Sequence, residues 1–425
     1  MIRWWPRGTA GEFLRQRRPA VDEEIESRAR TILERVRRGG DAALLELTRE
    51  LDGVSLTARD LAVGDDEIRE AYRRVDREFR EALELARDNI EAFCRQGLRR
   101  SWFSAGEDGL VVGEMFSPVD RAGIYVPGGT APLPSSVLMT GIPARVAGVE
   151  ELIMCTPPGG RGKVDPHILV AAREIGVSRV FRVGGAQAIA AMAYGTESIP
   201  PVDVIAGPGN AYVTAAKKMV VGRVGIDTLA GPSEIAILAD ASANPHWVAA
   251  DLLSQAEHDP LASAVLVTPS EELGRRVEEA LQTLLESLPR QHIARRCLEG
   301  GGAIILVRDL LEGVAVINRM APEHLELQVE DPWSLLGRIR HAGAVFVGPY
   351  TPEPVGDYTA GPSHVLPTGG TARYASPLSV DCFRKKTNLI VCTREALSRL
   401  GPAAARLAEV EGLEAHARSV RVRGE

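Results

Sequence analysis

The feature that most constrains the fold is a regular alternation of short apolar segments with helical patterns between residues 122 and 347. Eight segments have strand character: AGIYV (122–126), ELIMC (151–155), RVFRV (179–183), DVIA (203–206), EIAILA (234–239), AVLVT (264–268), AIILV (303–307) and AVFV (344–347). Strand–helix alternation is typical of sheets covered by helices. It predicts an α/β protein with two open Rossmann-like α/β domains, a small N-terminal arm and a small C-terminal helical extension.

The region before the alternation is predicted to be helical. Asp41 is expected to cap a helix that ends at Leu51. The acidic run Asp65–Glu67 is expected to begin one long amphipathic helix that continues to Phe93, because apolar residues recur there at helical spacing.

Composition excludes several classes of protein. Lysine and arginine number 50 against 57 acidic residues, so the net charge of −7 argues against a nucleic-acid binder with a dominant basic face. We see no apolar run of membrane-spanning length and no signal-peptide core. Five scattered cysteines give neither a disulfide framework nor a zinc ribbon, and none has a nucleophile motif around it. A soluble, cytoplasmic protein is therefore expected.

Three glycine-rich turns follow predicted strands: YVPGGTAP (125–132), VGGAQAIA (183–190) and IAGPGNAYV (205–213). They carry Tyr125, Gln187 and Asn210, and together they predict a nucleotide site built from unconventional loops. The alternative is that each glycine merely makes a tight turn, since the last turn has Tyr212 where a dinucleotide fingerprint needs a third glycine. Lys217 and Lys218 could face phosphates or lie on a solvated helix face.

The segment DLLSQAEHDP (251–260) suggests a metal site. Gln255 and His258 are three residues apart, so on a helix they share one face. Further ligands would have to come from elsewhere, and Asp357, His364 and His416 are candidates. Without such partners, His258 would be a surface histidine among acids.

The segment MAPEHLEL (320–327) suggests acid–base chemistry at the start of a strand. Glu323 and His324 are adjacent, so their side chains diverge and could act on different sides of one substrate. The alternative is a structural Glu–His pair at an element boundary. The irregular stretch from Gly348 to Ser376 is long enough to favour a functional loop.

Taken together, these motifs resemble histidinol dehydrogenase from about Ala20 to Arg421. The segments occur in the family's order: GIYVPGG, GGAQAIAA, AGPGNAYV, GPSEIAILAD, DLLSQAEHD, APEHLEL, GPYTPEPVGDYTAGPSHVLPTGGTAR and EGLEAHARSV. The resemblance implies a zinc-dependent enzyme that oxidises L-histidinol to L-histidine in two steps, each consuming one NAD⁺. It also implies an intertwined homodimer whose C-terminal segment reaches the partner's active site.

The resemblance further implies a role for individual residues. Glu323 and His324 would transfer protons, and Tyr125, Gln187 and Asn210 would contact NAD⁺. One Zn²⁺ per subunit would be held by Gln255, His258, Asp357 and His416. The implied substrate contacts are Ser233, Gln255, His258, His324, Asp357, His364, Glu411 and His416.

The predicted domains follow the same resemblance. Residues 1–20 form the arm, residues 21–122 and 234–378 the domain with the zinc site, residues 123–233 an inserted NAD domain, and residues 379–425 a dimer-crossing extension. The nearest alternative is a zinc- and NAD-dependent dehydrogenase of the same fold acting on another polar alcohol, such as a sulfonated diol. The presence of His364, Glu411 and His416, which suit an imidazole, favours histidinol.

Overall fold

A computed structural model describes residues 2–16, 23–128, 132–160 and 162–423. Part of the predicted N-terminal arm and residues 129–131 of the first glycine turn lie outside the described residues. The chain forms two compact units, Met1–Gly97 with Asp120–Phe383, and Leu98–Val119 with Arg384–Glu425. Among the described residues, no helix combines the length and the apolar character needed to cross a membrane.

The strands are β1 (Arg3–Trp5), β2 (Trp102–Ala105), β3 (Leu110–Pro118), β4 (Arg121–Tyr125), β5 (Glu151–Thr156), β6 (Arg179–Arg182), β7 (Val204–Ala206), β8 (Gly225–Ile226), β9 (Glu234–Ala239), β10 (Ser263–Thr268), β11 (Ala303–Leu306), β12 (His324–Gln328), β13 (Ala344–Val347) and β14 (Arg384–Cys392). The helices are α1 (Ala10–Gln16), α2 (Glu23–Leu51), α3 (Asp65–Arg74), α4 (Arg77–Gln96), α5 (Pro134–Ala147), α6 (Pro166–Glu174), α7 (Gly185–Tyr194), α8 (Ala211–Val220), α9 (Pro245–Ala256), α10 (Glu271–Leu285), α11 (Gln291–Gly300), α12 (Leu310–Met320), α13 (Trp333–Leu336), α14 (Glu353–Tyr358), α15 (Arg394–Val410) and α16 (Glu414–Arg421). Short 3₁₀ turns lie at Ala58–Asp60, Thr371–Arg373 and Val380–Phe383.

The first unit contains a six-stranded sheet in the order β1-β11-β10-β9-β12-β13, with every neighbouring pair parallel. The central strand β9 is buried along its whole length, because helices cover both faces of the sheet. Strands β9 and β12 are neighbours, with His324 opposite Ile235. This register places the start of β12 beside the start of β9.

The same unit contains a five-stranded parallel sheet in the order β6-β5-β4-β7-β8. Helix α2 packs against α7 and α8, and its buried residues Leu33, Val36, Leu44 and Leu47 belong to the core on this sheet. All eight predicted strands are present in the two sheets. The α/β fold class is therefore confirmed, whereas the domain boundaries drawn from the sequence stay a prediction.

The second unit consists of an antiparallel sheet, β14-β3-β2, and the helix pair α15 and α16. Strand β14 pairs with β3 over nine residues, from Arg384 opposite Pro118 to Cys392 opposite Leu110. The C-terminal helices were expected, but this long strand was not. Strand β14 is mostly exposed, and Cys392 at its end is exposed as well.

Two helix predictions need correction. The long helix expected from Asp65 ends at Arg74, and a second helix begins at Arg77, because the Asp76 carboxylate accepts a hydrogen bond from the Phe79 amide and caps the new helix. Asp41 is not a helix cap through its carboxylate, which instead accepts hydrogen bonds from the amide and hydroxyl of Ser198.

Candidate active site

Glu323 and His324 lie where α12 turns into strand β12. Helix α12 ends at Ala321, which has a φ of 48° and is the one non-glycine residue with positive φ among the described residues. An L-residue in this region carries backbone strain, and such strain is often found beside functional sites. The turn delivers both side chains to the buried start of β12, as the sequence predicted.

Strand β9 orients both side chains. An oxygen of the Glu323 carboxylate accepts a hydrogen bond of 2.9 Å from the Glu234 amide, and His324 Nδ1 lies 3.1 Å from the Glu234 carbonyl oxygen. Because a carbonyl can only accept, this contact requires the proton on Nδ1. The other ring nitrogen, Nε2, is therefore the one free to exchange a proton.

His324 Nε2 faces two carboxylates on helix α14. It lies 3.4 Å from Asp357 Oδ1 and 3.9 Å from Glu353 Oε1, and it makes no hydrogen bond of good geometry among the described residues. Burial lowers the pKa of His324, but the carboxylates of Glu323, Asp357 and Glu353 outweigh that effect and raise it. Burial raises the pKa of Glu323.

These contacts also define a possible cation site. One ligand atom from each of His324, Glu353 and Asp357 lies within 4.8 Å of the others. Of the three, only Asp357 was predicted as a metal ligand. Glu353 was missed, because it lies on a short helix within a stretch that the sequence pattern predicted to be irregular.

Gln255 lies in the last turn of helix α9, and His258 lies two residues beyond the end of that helix. Gln255 is fully buried, yet neither its amide nitrogen nor its amide oxygen has a hydrogen-bond partner among the described residues. A buried amide without partners calls for a ligand. Burial lowers the pKa of His258, and the negative charge of the Asp357 carboxylate opposes that shift.

Polar side chains of strand β12 and helix α9 form hydrogen bonds with the first residue of helix α14. Glu326 accepts a 3.2 Å hydrogen bond from the Glu353 amide, and Ser254 donates a 2.7 Å hydrogen bond to the Glu353 carboxylate. Asp251 lies beside Glu326, and burial raises the pKa of both carboxyl groups. These polar side chains, which sequence reasoning missed, fix where Glu353 and Asp357 point.

The other residues predicted to contact the substrate are His364, Ser233, Glu411 and His416, and the structure places them on several different segments. His364 Nδ1 lies 3.0 Å from the Asp357 carbonyl oxygen and Nε2 lies 3.3 Å from the Ser136 hydroxyl, and burial lowers the pKa of the ring. Ser233 precedes β9 and is half-buried. Glu411 and His416 lie on exposed positions of the second unit, and their assignment to the site stays a prediction.

A cavity of about 650 Å³ is lined by Tyr125, Gln187 and Asn210, the three residues predicted at the glycine turns. The Tyr125 hydroxyl accepts a 3.0 Å hydrogen bond from the Gly185 amide at the start of α7. Gln187 is buried, and its side-chain oxygen has no partner among the described residues. Asn210 caps α8 by accepting hydrogen bonds from the amides of Tyr212 and Val213, so its oxygen already has a structural role.

Neither lysine of helix α8 is among the described residues that line this cavity. Lys217 is buried, contrary to both interpretations of the sequence, and forms an ion pair with the buried carboxylate of Asp227. It also donates to the Gly207 carbonyl at 3.0 Å, while Asp227 accepts from the Gly207 amide at 2.7 Å. Lys218 pairs at the surface with Glu26. The buried pair therefore holds the third glycine turn.

Comparisons with known proteins agree with this arrangement. A family model described as histidinol dehydrogenase matches residues 15–424. The chain is 54% identical over 398 residues to histidinol dehydrogenase of Synechococcus sp., covering 94% of this chain and 92% of the relative. It is 55% identical to that of Moorella thermoacetica, covering 95% of each. The crystal structure of histidinol dehydrogenase from Elizabethkingia anophelis matches with a TM-score of 0.95 and 38% identity over 99% of this chain and 98% of that one.

Proposed function

The chain belongs to the histidinol dehydrogenase family of oxidoreductases, and from this premise we propose that it oxidises L-histidinol to L-histidine by way of bound L-histidinal. Each of the two oxidations passes one hydride to one NAD⁺. The observation that carries the proposal is the pairing of a buried Glu323 and a buried His324 beside the acidic side chains of α14. A cytoplasmic location suits such a biosynthetic role.

The residues around Asp357 suit one zinc ion per subunit. Gln255, His258 and Asp357 offer nitrogen and oxygen donors, which zinc accepts, and a bound cation would give the unpartnered amide oxygen of Gln255 a partner. We assign the fourth position to His416, as in the family. When bound, zinc supplies a positive charge that holds the amine and imidazole nitrogens of the substrate and offsets the neighbouring carboxylates.

His324 is the proposed base for both oxidations. Its Nδ1 proton is engaged by the Glu234 carbonyl, so Nε2 in its neutral form accepts the proton of the substrate alcohol while the hydride leaves carbon for NAD⁺. The product of this step is the aldehyde and NADH. The mobile proton on Nε2 must leave before the second oxidation.

Glu323 is the proposed base for hydration of the aldehyde. Its carboxylate accepts one hydrogen bond from the Glu234 amide, which holds it in place and leaves its other oxygen for water. Glu323 takes a proton from water as the water oxygen adds to the carbonyl carbon, and His324 Nε2 returns the proton it holds to the carbonyl oxygen, giving a gem-diol. His324 then accepts a hydroxyl proton from the gem-diol as the second hydride leaves, and the products are the carboxylic acid and a second NADH.

The cavity at the glycine turns fits the dinucleotide. Its volume lies within the range usual for cofactor sites. The helices α7 and α8 begin at its wall, and helix N-termini favour phosphate groups. The unpartnered oxygen of Gln187 is available to accept from a cofactor donor, and Tyr125 and Asn210 would contact the same molecule. Ser233, His364 and Glu411 are proposed to orient the substrate.

Cysteine chemistry is not part of the proposal. Cys94, Cys155 and Cys297 are buried, and burial raises the pKa of Cys297 to about 12 and that of Cys94 to about 11. A thiol with so high a pKa is a poor nucleophile at pH 7. We therefore propose that water hydrates the aldehyde directly, and that none of these three thiols forms a thiohemiacetal with it.

We propose an intertwined homodimer in which the second unit completes the partner's site. The apolar surface of this unit supports it, because Phe103 and Ile390 are 73% and 72% exposed on its sheet. Apolar area of this kind marks an interaction surface. Further exposed apolar residues of the unit are Trp102, Val391, Leu407 and Val410.

Mixed dimers test the shared site. We would combine His416→Ala chains with Glu323→Gln chains after mild dissociation. If His416 acts on the partner's site, each mixed dimer contains one intact site, and random mixing restores about one quarter of wild-type activity. If His416 acts within its own chain, mixing restores none. The second result would contradict the crossing arrangement.

The reaction itself is tested by stoichiometry. An anaerobic titration of the zinc-loaded enzyme with limiting L-histidinol should form two NADH per histidinol and yield histidine. One NADH per molecule, with free aldehyde accumulating, would overturn the two-step proposal. The same assay with a sulfonated diol should give no NADH.

A further inference from the structure

Asp52 stands in the wall of the dinucleotide cavity with an unused acceptor. It follows the last residue of α2, and its amide donates a 2.9 Å hydrogen bond to the Thr48 carbonyl, which fixes its backbone. Its Oδ2 atom is buried and has no hydrogen-bond partner among the described residues. A buried carboxylate oxygen without a donor is costly, so its presence beside a cavity calls for a ligand that supplies one.

The surroundings of Asp52 suit the adenosine part of a dinucleotide. Leu51, Ile32 and Pro158 line the same cavity and offer apolar contact to a flat base. Helix α2 packs against helices of the five-stranded sheet, whereas Glu323 and His324 lie on the six-stranded sheet. The part of the cavity beside helix α2 is therefore assigned to the adenosine half of the cofactor, which does not react.

We propose that Asp52 accepts hydrogen bonds from the ribose hydroxyls of the adenosine half and selects NAD⁺ against NADP⁺. This inference rests on the proposed use of NAD⁺. A carboxylate can accept from a 2′-hydroxyl but repels a 2′-phosphate, which is the physical basis of the same choice in other dinucleotide sites. Arg28 is the one cationic side chain among the described residues that line the cavity, and it is paired with Glu24 at 2.5 Å.

The test is cofactor binding measured without turnover, by calorimetry on zinc-loaded enzyme. Asp52→Asn should weaken NAD⁺ binding roughly 10- to 100-fold, the size expected for a hydrogen bond to a charged acceptor. It should leave NADP⁺ binding unchanged or improve it. Glu50→Gln is the matched control. It removes the same charge two residues away, but in the wild-type protein Glu50 is paired with Arg35 at 2.8 Å. The control should bind both cofactors as wild type does.

A 2′-deoxyadenosine analogue of NAD⁺ identifies the hydroxyl. It should bind wild-type enzyme weakly and bind Asp52→Asn no more weakly than NAD⁺ does, because the same contact is removed from either side. An equal loss of NAD⁺ and NADP⁺ affinity in Asp52→Asn, or no loss, would overturn the inference. Wild-type enzyme that binds no NAD⁺ would instead overturn the proposed function.

Discussion

His324 Nε2 lies 3.4 Å from Asp357 Oδ1, although the first residue begins strand β12 and the second lies on the short helix α14. The proposed base and a proposed metal ligand are thus within direct electrostatic reach of each other. A substitution at either residue therefore changes the electrostatic surroundings of the other.

Glu323→Gln should separate the two oxidations. Glutamine keeps the size of the side chain but cannot accept a proton, so hydration of the aldehyde should slow by about 10²- to 10⁴-fold. In single-turnover experiments with histidinol, we expect one NADH to form at a near-normal rate and the second to be delayed. His324→Asn should slow both.

Zinc content must be measured in both variants, because a lost metal would imitate a lost base. Aldehyde oxidation at the wild-type rate by metal-replete Glu323→Gln would contradict the role of Glu323. In that case a carboxylate of α14, Glu353 or Asp357, would be the base that activates the water.

Two different donor sets could hold the metal, and zinc retention distinguishes them. If His258 and Gln255 are ligands, His258→Ala should lower zinc affinity by at least tenfold, whereas Glu353→Gln should lower it less. If the cluster of His324, Glu353 and Asp357 holds the metal, the order reverses. Dialysis against a competing chelator, followed by elemental analysis, measures this directly. Glu257→Gln, a neighbouring acid at the end of α9, is the control and should retain zinc.

The sequence could predict the α/β class because buried parallel strands are nearly continuous apolar runs, and all eight such runs form strands. It could not predict β14, since this strand contains Lys385, Lys386 and Asn388 and is mostly exposed. Its partner β3 lies more than 260 residues away in the chain, and only the folded structure shows that pairing.

At the site, local motifs indicated Glu323, His324, Gln255 and His258, because each pair is close in sequence. Glu326 could not be recognised as the partner of Asp251, since a carboxyl group in an apolar strand gives no sign of the one it meets 75 residues away. Lys217 was misjudged for the same reason, because Asp227 supplies its buried partner from beyond the end of α8.

Lys217→Met should destabilise the protein and loosen the third glycine turn. The substitution leaves the Asp227 carboxylate buried without its cation, and breaking a buried pair in this way costs about 3–5 kcal/mol. Lys218→Met removes the same charge at an exposed position and should change the free energy of unfolding by less than about 0.5 kcal/mol. Urea unfolding of both variants measures the difference. Equal stability of the two variants would show that the buried pair contributes little.

Asp52→Asn should stabilise the cofactor-free protein at neutral pH and not at acidic pH. Burial raises the pKa of Asp52 to about 6, above the value of about 3.9 expected in the unfolded chain. The native state therefore holds its proton more tightly, so this residue's contribution to stability falls as pH rises from about 4 to 6 and stays low above that. Because Asp52 is partly exposed, the gain from asparagine at pH 7.5 should be about 1 kcal/mol, shrinking as pH falls toward 4.5. Urea unfolding midpoints at the two pH values measure this gain in stability.

The control, Glu50→Gln, should lower the stability at neutral pH, since Arg35 lowers the pKa of Glu50 and the charge of Glu50 is therefore favourable in the folded state. An Asp52→Asn gain that is the same at both pH values would show that the substitution acts through packing rather than through the buried charge.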